Sequence, residues 1–586
     1  MDEKALLSGN EAIARGAFEA GIHVATAYPG TPSTEILENV VNYKDHIHCE
    51  WSTNEKVALE VAMGASYGGA RAMCTMKHVG VNVAADPFFT FAYTGTDGGF
   101  VMITADDPGM HSSQNEQDNR RYAEFAKWVL LEPTDSQECK ELMIEAMKIS
   151  EKFSAPVLLR MSTRLSHSKG IVTLGNRDEV PVPEYVKNVQ KRVVLPAHAR
   201  KLHVVLEERL AEIKKYSNKS PYNIIEDGDR KIGIVSSGIS YRYAREVFPN
   251  AAFLKLGMSY PFPDDLALEF AGMVDKVYVI EENEPFIEEK MRMLGIDVVG
   301  KEKVSITGEL SQKRIADAFD LPWTSSVDAD IADLPPRPPV LCPGCPHGGI
   351  FYVSNKMKLH TTTDIGCYTL GVMPPLNSGE TCVCMGASIG NAFGLELAQG
   401  KDFGKKTVAF IGDSTFMHSG MTGVANAVYN KSDITVALLD NSITAMTGHQ
   451  EHPGTGRTLM GEETTSTDYE GLIKALGVKD LHVTDAFDLK NIQETLKKTT
   501  NSEETSVIIN KGRCILLDYK TMKVTPNTVD PEKCIACGLC LKVGCPALSR
   551  DPKTRKAKID VYLCAGDKCN VCLQVCPKDA IGPVKA

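Results

Sequence analysis

Seventeen cysteines are spread unevenly through this 586-residue chain, and eight of them fall between Cys534 and Cys576. They form two sets, Cys534-x2-Cys537-x2-Cys540-x4-Cys545-Pro546 and Cys564-x4-Cys569-x2-Cys572-x3-Cys576-Pro577. A tight loop carrying three thiolates can grip three corners of an iron–sulfur cube, and the following proline stops the loop. Zinc motifs seldom end in paired Cys-Pro and commonly mix in histidine, so iron and sulfur are the better reading. A secreted disulfide framework belongs to a much shorter chain. Upstream, CPGCPHGG (342–349) is a C-x2-C with His347 beside it and no evident second pair, open to zinc or dithiol chemistry. Cys367 lies in DIGCYTLG (364–371), where a buried structural thiol is an equal alternative.

Oxygen ligands are the second kind of chemistry. FIGDSTFMHSG (410–420) ends an apolar strand at Gly412-Asp413-Ser414, and the next strand, ITVALLDNS, ends at Asp440-Asn441. Two strand ends in a parallel sheet then offer a carboxylate and an amide oxygen at the carboxyl edge, where α/β sheets bind ligands. Mg²⁺ takes six oxygens and combines a few protein ligands with phosphates and water. Asp413, Asn441 and one backbone carbonyl supply half of such a shell. The plain alternative is a pair of strand-end residues that cap helices. Near the N-terminus, EWSTNEKVALEVAMGASYGG puts Glu55 at the start of a small-residue helix, with Glu60 one turn on. AYPGTPSTE (27–35) puts Thr31 before Pro32, where a hydroxyl caps a helix or binds a ligand.

These residues need sheets to position them. Residues 1–180 alternate helical and strand patterns: GNEAIARGAFEAG as a helix closed by Gly21, IHVATAYPG as a strand, TPSTEILENVVN as a helix, then FVMITAD and APVLLRMS as buried strands. Residues 181–230 are charged and mixed and read as a connecting region. A second α/β alternation follows within 181–331, through RKIGIVSSG, AAFLKLG and KVYVIEEN. ADLPPRPPVL (332–341) has four prolines and predicts an extended linker. A third α/β unit spans 342–524, and the cysteine-rich tail spans 525–586. In MGASIGNAFGLELA (385–398), Gly386, Gly390 and Gly394 predict a helix face under close backbone packing, not a dinucleotide loop. A net charge of -11 disfavours a nucleic-acid surface. No apolar run reaches the roughly 18 residues of a membrane span, and the charged N-terminus lacks a signal-peptide core, so the expected location is cytoplasmic.

The tail resembles bacterial two-cluster ferredoxins, in which each fourth cysteine serves the other cluster. That resemblance implies one [4Fe-4S] cluster on Cys534, Cys537, Cys540 and Cys576, and a second on Cys564, Cys569, Cys572 and Cys545. Both sets depart from the family spacing by one x4 interval. Asp413 and Asn441 match the thiamine diphosphate motif, with Ser414 where a glycine is usual, and the motif implies Mg²⁺ on Asp413, Asn441 and the Ile443 carbonyl. The Glu55 segment and the Y-P-x-T-P-S segment resemble the 2-oxoacid ferredoxin oxidoreductases. There a glutamate, here Glu55, favours the reactive tautomer of the aminopyrimidine, and Thr31 would bond the substrate carboxylate or cofactor. The same resemblance puts Gly412, Asp413, Ser414, Cys345, His347 and Cys367 near the cofactor. The arginine that holds the carboxylate in pyruvate-specific members has no match; His111, Ser112 or Ser113 stand in that region.

In its order of parts, the whole chain is similar to the alpha subunits of indolepyruvate ferredoxin oxidoreductases. The implied fold class is α/β and multidomain: thiamine-diphosphate-binding doubly wound parallel sheets plus a C-terminal two-cluster ferredoxin-like domain. The implied activity is oxidative decarboxylation of arylpyruvates with coenzyme A, electrons leaving through two [4Fe-4S] clusters to ferredoxin. The implied partner is a smaller beta (gamma-type) subunit in a hetero-oligomer such as α2β2. Another 2-oxoacid ferredoxin oxidoreductase, a non-oxidative thiamine diphosphate decarboxylase, or an electron-transfer subunit without catalysis are the competing expectations.

Overall fold

The computed structural model describes residues 3–324, 334, 335, 337–519 and 521–584. Positions 332, 333 and 336 of the expected proline-rich linker lie outside the described residues. The chain divides into two units, Met1–Asp330 and Ile331–Ala586.

The first unit is built on a seven-stranded sheet in the order Met258–Tyr260, Val129–Leu131, Val157–Ser162, Phe100–Asp106, Ala72–Lys77, Val24–Ala27 and His48–Trp51. Every pairing is parallel except that of Met258–Tyr260 at one edge. The central strands Phe100–Asp106 and Val157–Ser162 are buried along their whole length. That is why they read as continuous apolar runs instead of alternating ones. The chain runs from Val24–Ala27 out to His48–Trp51 on one side, then returns to Ala72–Lys77 on the other. The carboxyl ends of Val24–Ala27 and Ala72–Lys77 therefore flank the point where the winding reverses, the usual ligand crevice of such sheets.

A second sheet in this unit has the order Val298–Val299, Val277–Val279, Asp229–Ser237, Ala251–Leu256 and Asn223–Glu226, antiparallel only at the last pairing. The charged stretch read as a connection contains a 22-residue helix, Pro196–Ser217. Only Leu206, Ile213 and Ser217 of it are buried, so its apolar stripe is too thin to announce itself in sequence. The helix expected from Thr31 begins at Thr34 and runs to Val40, because Thr31–Ser33 form a turn around Pro32.

The second unit carries a five-stranded, wholly parallel sheet: His360–Thr362, Thr407–Gly412, Thr435–Asp440, Ser506–Lys511 and Asp480–Asp485. Thr407–Gly412 and Thr435–Asp440 lie side by side, with Gly412 opposite Leu439. Gly386 caps the helix Ala387–Gln399 with left-handed backbone, φ 81°. Gly390 and Gly394 contradict the expected close packing: within the chain, a Cβ at either would meet open space. Their four-residue spacing marks a small-residue face that no part of the described chain covers.

The tail pairs its two ends, Asn527–Val529 with Ile581–Pro583, and folds a second hairpin, Leu548–Arg550 with Ala557–Ile559. Among the described residues, its own apolar cluster buries Cys540, Ile559 and Ile581, with Val529, Leu541, Leu548 and Leu573 half-buried against them. Val543 and Val571 pack instead into the core of the neighbouring sheet domain. So small a core of its own is weak support for a segment of this length, unless metal, covalent links or the neighbouring sheet domain help to hold it. Among the described residues, no helix is long and apolar enough to cross a membrane.

Candidate active site

The oxygen cluster forms as the sheet of the second unit positions it. Asp413 follows the strand Thr407–Gly412 and is 2 % exposed. Its Oδ1 accepts from the Ser414 N–H at 2.9 Å, and its Oδ2 from the Ser442 N–H at 2.7 Å. The second bond crosses to the end of the next strand. There Ser442 holds left-handed backbone, φ 61°, and turns Asn441 and Ile443 toward the same edge. Asn441 is buried, and its Oδ1 accepts from the Ile443 N–H at 3.2 Å. The chain beyond Asp413 passes through one turn of π-helix, Phe416–Gly420, a distortion common at functional sites.

Electrostatics show what this edge lacks. Burial, and then the neighbouring Asp413 carboxylate, raise the pKa of Asp440. His452 Nε2 stands 3.3 Å from Asp413 Oδ2 but out of line for a hydrogen bond. His347, 3 % exposed, is pushed down to about 4 by burial, against the pull of Asp413, so its ring stays neutral. The His347 Nε2 is buried and has no hydrogen-bond partner, a costly state for a polar atom. Hard oxygen donors under mutual repulsion, beside an unsatisfied ring nitrogen, fit a divalent cation together with an anionic phosphate.

Next to this edge the fold gathers four thiols. Cys345 and Cys342 come from the CPGC loop, Cys367 from the turn after His360–Thr362, and Cys514 from the end of Ser506–Lys511. Burial, and then the charges of Cys514 and Cys342, raise Cys367 to about 12. Cys345 is raised by burial, then by Cys367, Cys342 and Cys514. The Cys514 N–H donates to the Asn441 carbonyl at 3.0 Å, which ties this group to the oxygen edge. The C-x2-C read as lacking a second pair thus has one, Cys367 and Cys514. No local spacing connects them; only the sheet topology does. Cys382 and Cys384 stay exposed.

The tail lies against the CPGC loop. Leu341, Cys342, Cys345, Gly544, Cys545 and Cys569 line one recess, and the Gly344 N–H bonds the Cys545 sulfur. Cys534, Cys537, Cys540 and Cys576 line a second recess. Burial, and then the charges of Cys569, Cys545, Cys564 and, last, Cys540, raise Cys572 to about 12. The geometry therefore groups Cys576 with the first set and Cys545 with the second. Each x4 interval contains a 3₁₀ turn and a left-handed glycine: Leu539–Val543 with Gly544 (φ 73°), and Gly566–Lys568 with Gly566 (φ 52°). The extra residue is absorbed there without moving the thiols out of the group. Backbone N–H groups of Asn527 and Gly566 reach Cys564 Sγ at 3.4 and 3.3 Å, and that of Ala580 reaches Cys576 Sγ at 3.3 Å. Such donors stabilise thiolate ligands. Among the described residues, no three His, Cys, Asp or Glu close on a single-ion point.

In the first unit, Glu55 opens the helix Glu55–Tyr67 and is 6 % exposed. The Asn54 side chain caps that helix on the Val57 N–H at 2.9 Å. The Glu55 carboxylate packs on Gly80, where a Cβ would stand 3.0 Å from Oε1. Glu60 is exposed and paired with Lys56 on the helix surface, so it belongs to solvent. The Thr31 carbonyl accepts from Ser112 Oγ at 3.3 Å. Ser112 and Ser113 are bound to Asp107, and His111 pairs with Glu309 at 3.2 Å.

Residues 15–218 match the family described as pyruvate flavodoxin/ferredoxin oxidoreductase, thiamine diphosphate-binding. Residues 364–510 match the thiamine pyrophosphate enzyme, C-terminal binding domain. The indolepyruvate oxidoreductase subunit IorA of Archaeoglobus fulgidus is 42% identical over 100% of this chain and 98% of its own length. That of Thermococcus kodakarensis is 41% identical over 100% and 97%. The 2-oxoglutarate synthase subunit KorA of A. fulgidus is 26% identical over 48% of this chain and 88% of its own.

Proposed function

The chain belongs to the indolepyruvate oxidoreductase subunit IorA family, and on that premise we propose how its own residues carry out the oxidative decarboxylation of arylpyruvates. Thiamine diphosphate, when bound, supplies the carbanion that adds to the keto carbon and accepts the electron pair left by carbon dioxide. Glu55 would hold the proton at the aminopyrimidine; its burial against Gly80 keeps that carboxylate away from bulk water. Asp413, Asn441 and the Ile443 carbonyl would hold Mg²⁺, with Gly412 and Ser414 beside the diphosphate. The unpartnered His347 Nε2 would donate to a phosphate oxygen.

Three thiol groups would hold [4Fe-4S] clusters, whose chemistry is one-electron transfer. They are Cys342, Cys345, Cys367 and Cys514; Cys545, Cys564, Cys569 and Cys572; and Cys534, Cys537, Cys540 and Cys576. The observation that carries this reading is the hydrogen bond from the Cys514 N–H to the Asn441 carbonyl. It puts the first thiol group next to the proposed diphosphate edge, and the CPGC loop then abuts the tail. A second, smaller subunit, coenzyme A as acyl acceptor and ferredoxin as electron acceptor complete the proposal, in an assembly such as α2β2. Seventeen cysteines without a disulfide suit the reducing cytoplasm.

The test is an anaerobic assay of the chain assembled with its second subunit. Reduction of a viologen dye should require both an arylpyruvate and coenzyme A, and Glu55→Gln should abolish it. Aldehyde release without dye reduction would instead indicate a non-oxidative decarboxylase.

A further inference from the structure

The strand Ala72–Lys77 ends in a buried cation that the chemistry above does not use. Lys77 is 8 % exposed. Burial pulls its pKa down to about 8, with the Asp107 charge opposing. Burying an ammonium is expensive unless it is well paired. Lys77 Nζ donates to the Ser112 carbonyl at 2.7 Å, a neutral acceptor, although an ammonium has three donors. Asp107 spends its oxygens on Ser112, Ser113 and Thr163.

Its position matters as much as its charge. Lys77 ends one of the two strands that flank the winding reversal, and the other leads directly into Thr31. The Lys77 stem runs along Gly30, where a Cβ would stand 3.0 Å from Lys77 Cβ. Ser112, whose carbonyl takes the ammonium, also bonds the Thr31 carbonyl through its hydroxyl. Three residues after Lys77, Gly80 forms the floor under the Glu55 carboxylate. One strand-to-helix junction thus fixes a cation beside Thr31 and a support for Glu55.

We propose that the Lys77 ammonium, with Thr31, anchors the carboxylate of the 2-oxoacid substrate, the role left vacant by the arginine this chain lacks; this rests on the 2-oxoacid reading above. The carboxylate is the group that departs as neutral carbon dioxide. A cation that holds it therefore favours binding and loses its hold once the charge has gone. The effect of removing it belongs mainly in KM.

The test uses Lys77→Gln and Lys77→Arg in the full chain assembled with its second subunit. Lys77→Gln should raise KM for arylpyruvate by about 10- to 100-fold, the worth of a charge-assisted hydrogen bond, with kcat little changed. Thiamine diphosphate loading should not change, nor should inhibition by an arylacetaldehyde, which lacks the carboxylate. Lys77→Arg should recover most of the lost affinity. An unaltered KM in Lys77→Gln would overturn the anchor. So would equal weakening of arylpyruvate and arylacetaldehyde, or failure to load thiamine diphosphate, since these mark a structural role. A wild-type complex that turns over no 2-oxoacid would overturn the functional reading and this proposal together.

Discussion

The two kinds of cysteine site in the second unit are built in opposite ways. Cys342, Cys345, Cys367 and Cys514 come from distant parts of the chain and are carried on a parallel sheet with its own large core. The eight tail cysteines come from two short runs, around an apolar cluster of Cys540, Ile559 and Ile581. The sheet makes its site whether or not metal is there. On the proposed cluster reading, metal would supply much of what holds the fold of the tail.

Removing metal breaks this contrast most severely. Iron chelation under anaerobic conditions should unfold 525–586 and leave the sheet domain intact. Hydrogen exchange would show full loss of protection in the tail and retained protection in Thr407–Gly412 and Ser506–Lys511. Equal protection in both would contradict the contrast.

Asp413→Asn should come next. An outer partner of a metal ligand alone costs about 10- to 100-fold, so loss of the ligand charge should cost at least about 100-fold in kcat/KM and weaken Mg²⁺-dependent thiamine diphosphate binding. Stability should also fall, by about 1–3 kcal/mol, since the amide keeps an oxygen for only one of the Ser414 and Ser442 N–H groups. Equilibrium dialysis with the cofactor and a thermal melt separate the two effects.

The same contrast explains what sequence could show. The grouping of the tail thiols was legible because they fall within a few residues of one another, and Cys-Pro closes each run. Asp413 and Asn441 were legible because each ends a strand whose apolar run is unmistakable. The four-thiol group was not legible: Cys514 follows SVIINKGR with nothing nearby to pair it, and only the order of parallel strands brings it to Cys342. Lys77 was missed for the same reason. Its meaning lies in the winding reversal that puts it beside Thr31. The helix Pro196–Ser217 escaped because just three of its residues are buried. The glycine spacing at 386–394 was read correctly as close packing at Gly386, where a Cβ would meet the Ser419 hydroxyl, and wrongly at Gly390 and Gly394.

The smallest effect is expected on that open face. Gly390→Ala and Gly394→Ala meet nothing within the chain, so each should stabilise the isolated chain by about 0.5–1 kcal/mol through helix propensity. Thermal or denaturant unfolding checks this. Destabilisation would mean the face is already occupied.

The most direct test of the account is substrate-driven reduction followed by rapid-freeze electron paramagnetic resonance. In the wild-type assembly, arylpyruvate with coenzyme A should reduce the clusters of the tail. In Cys514→Ser the tail clusters should remain reducible by dithionite yet stay oxidised when arylpyruvate is added. Tail clusters reduced by arylpyruvate as fast in Cys514→Ser as in wild type would contradict the route from the thiamine edge through the sheet-held thiols.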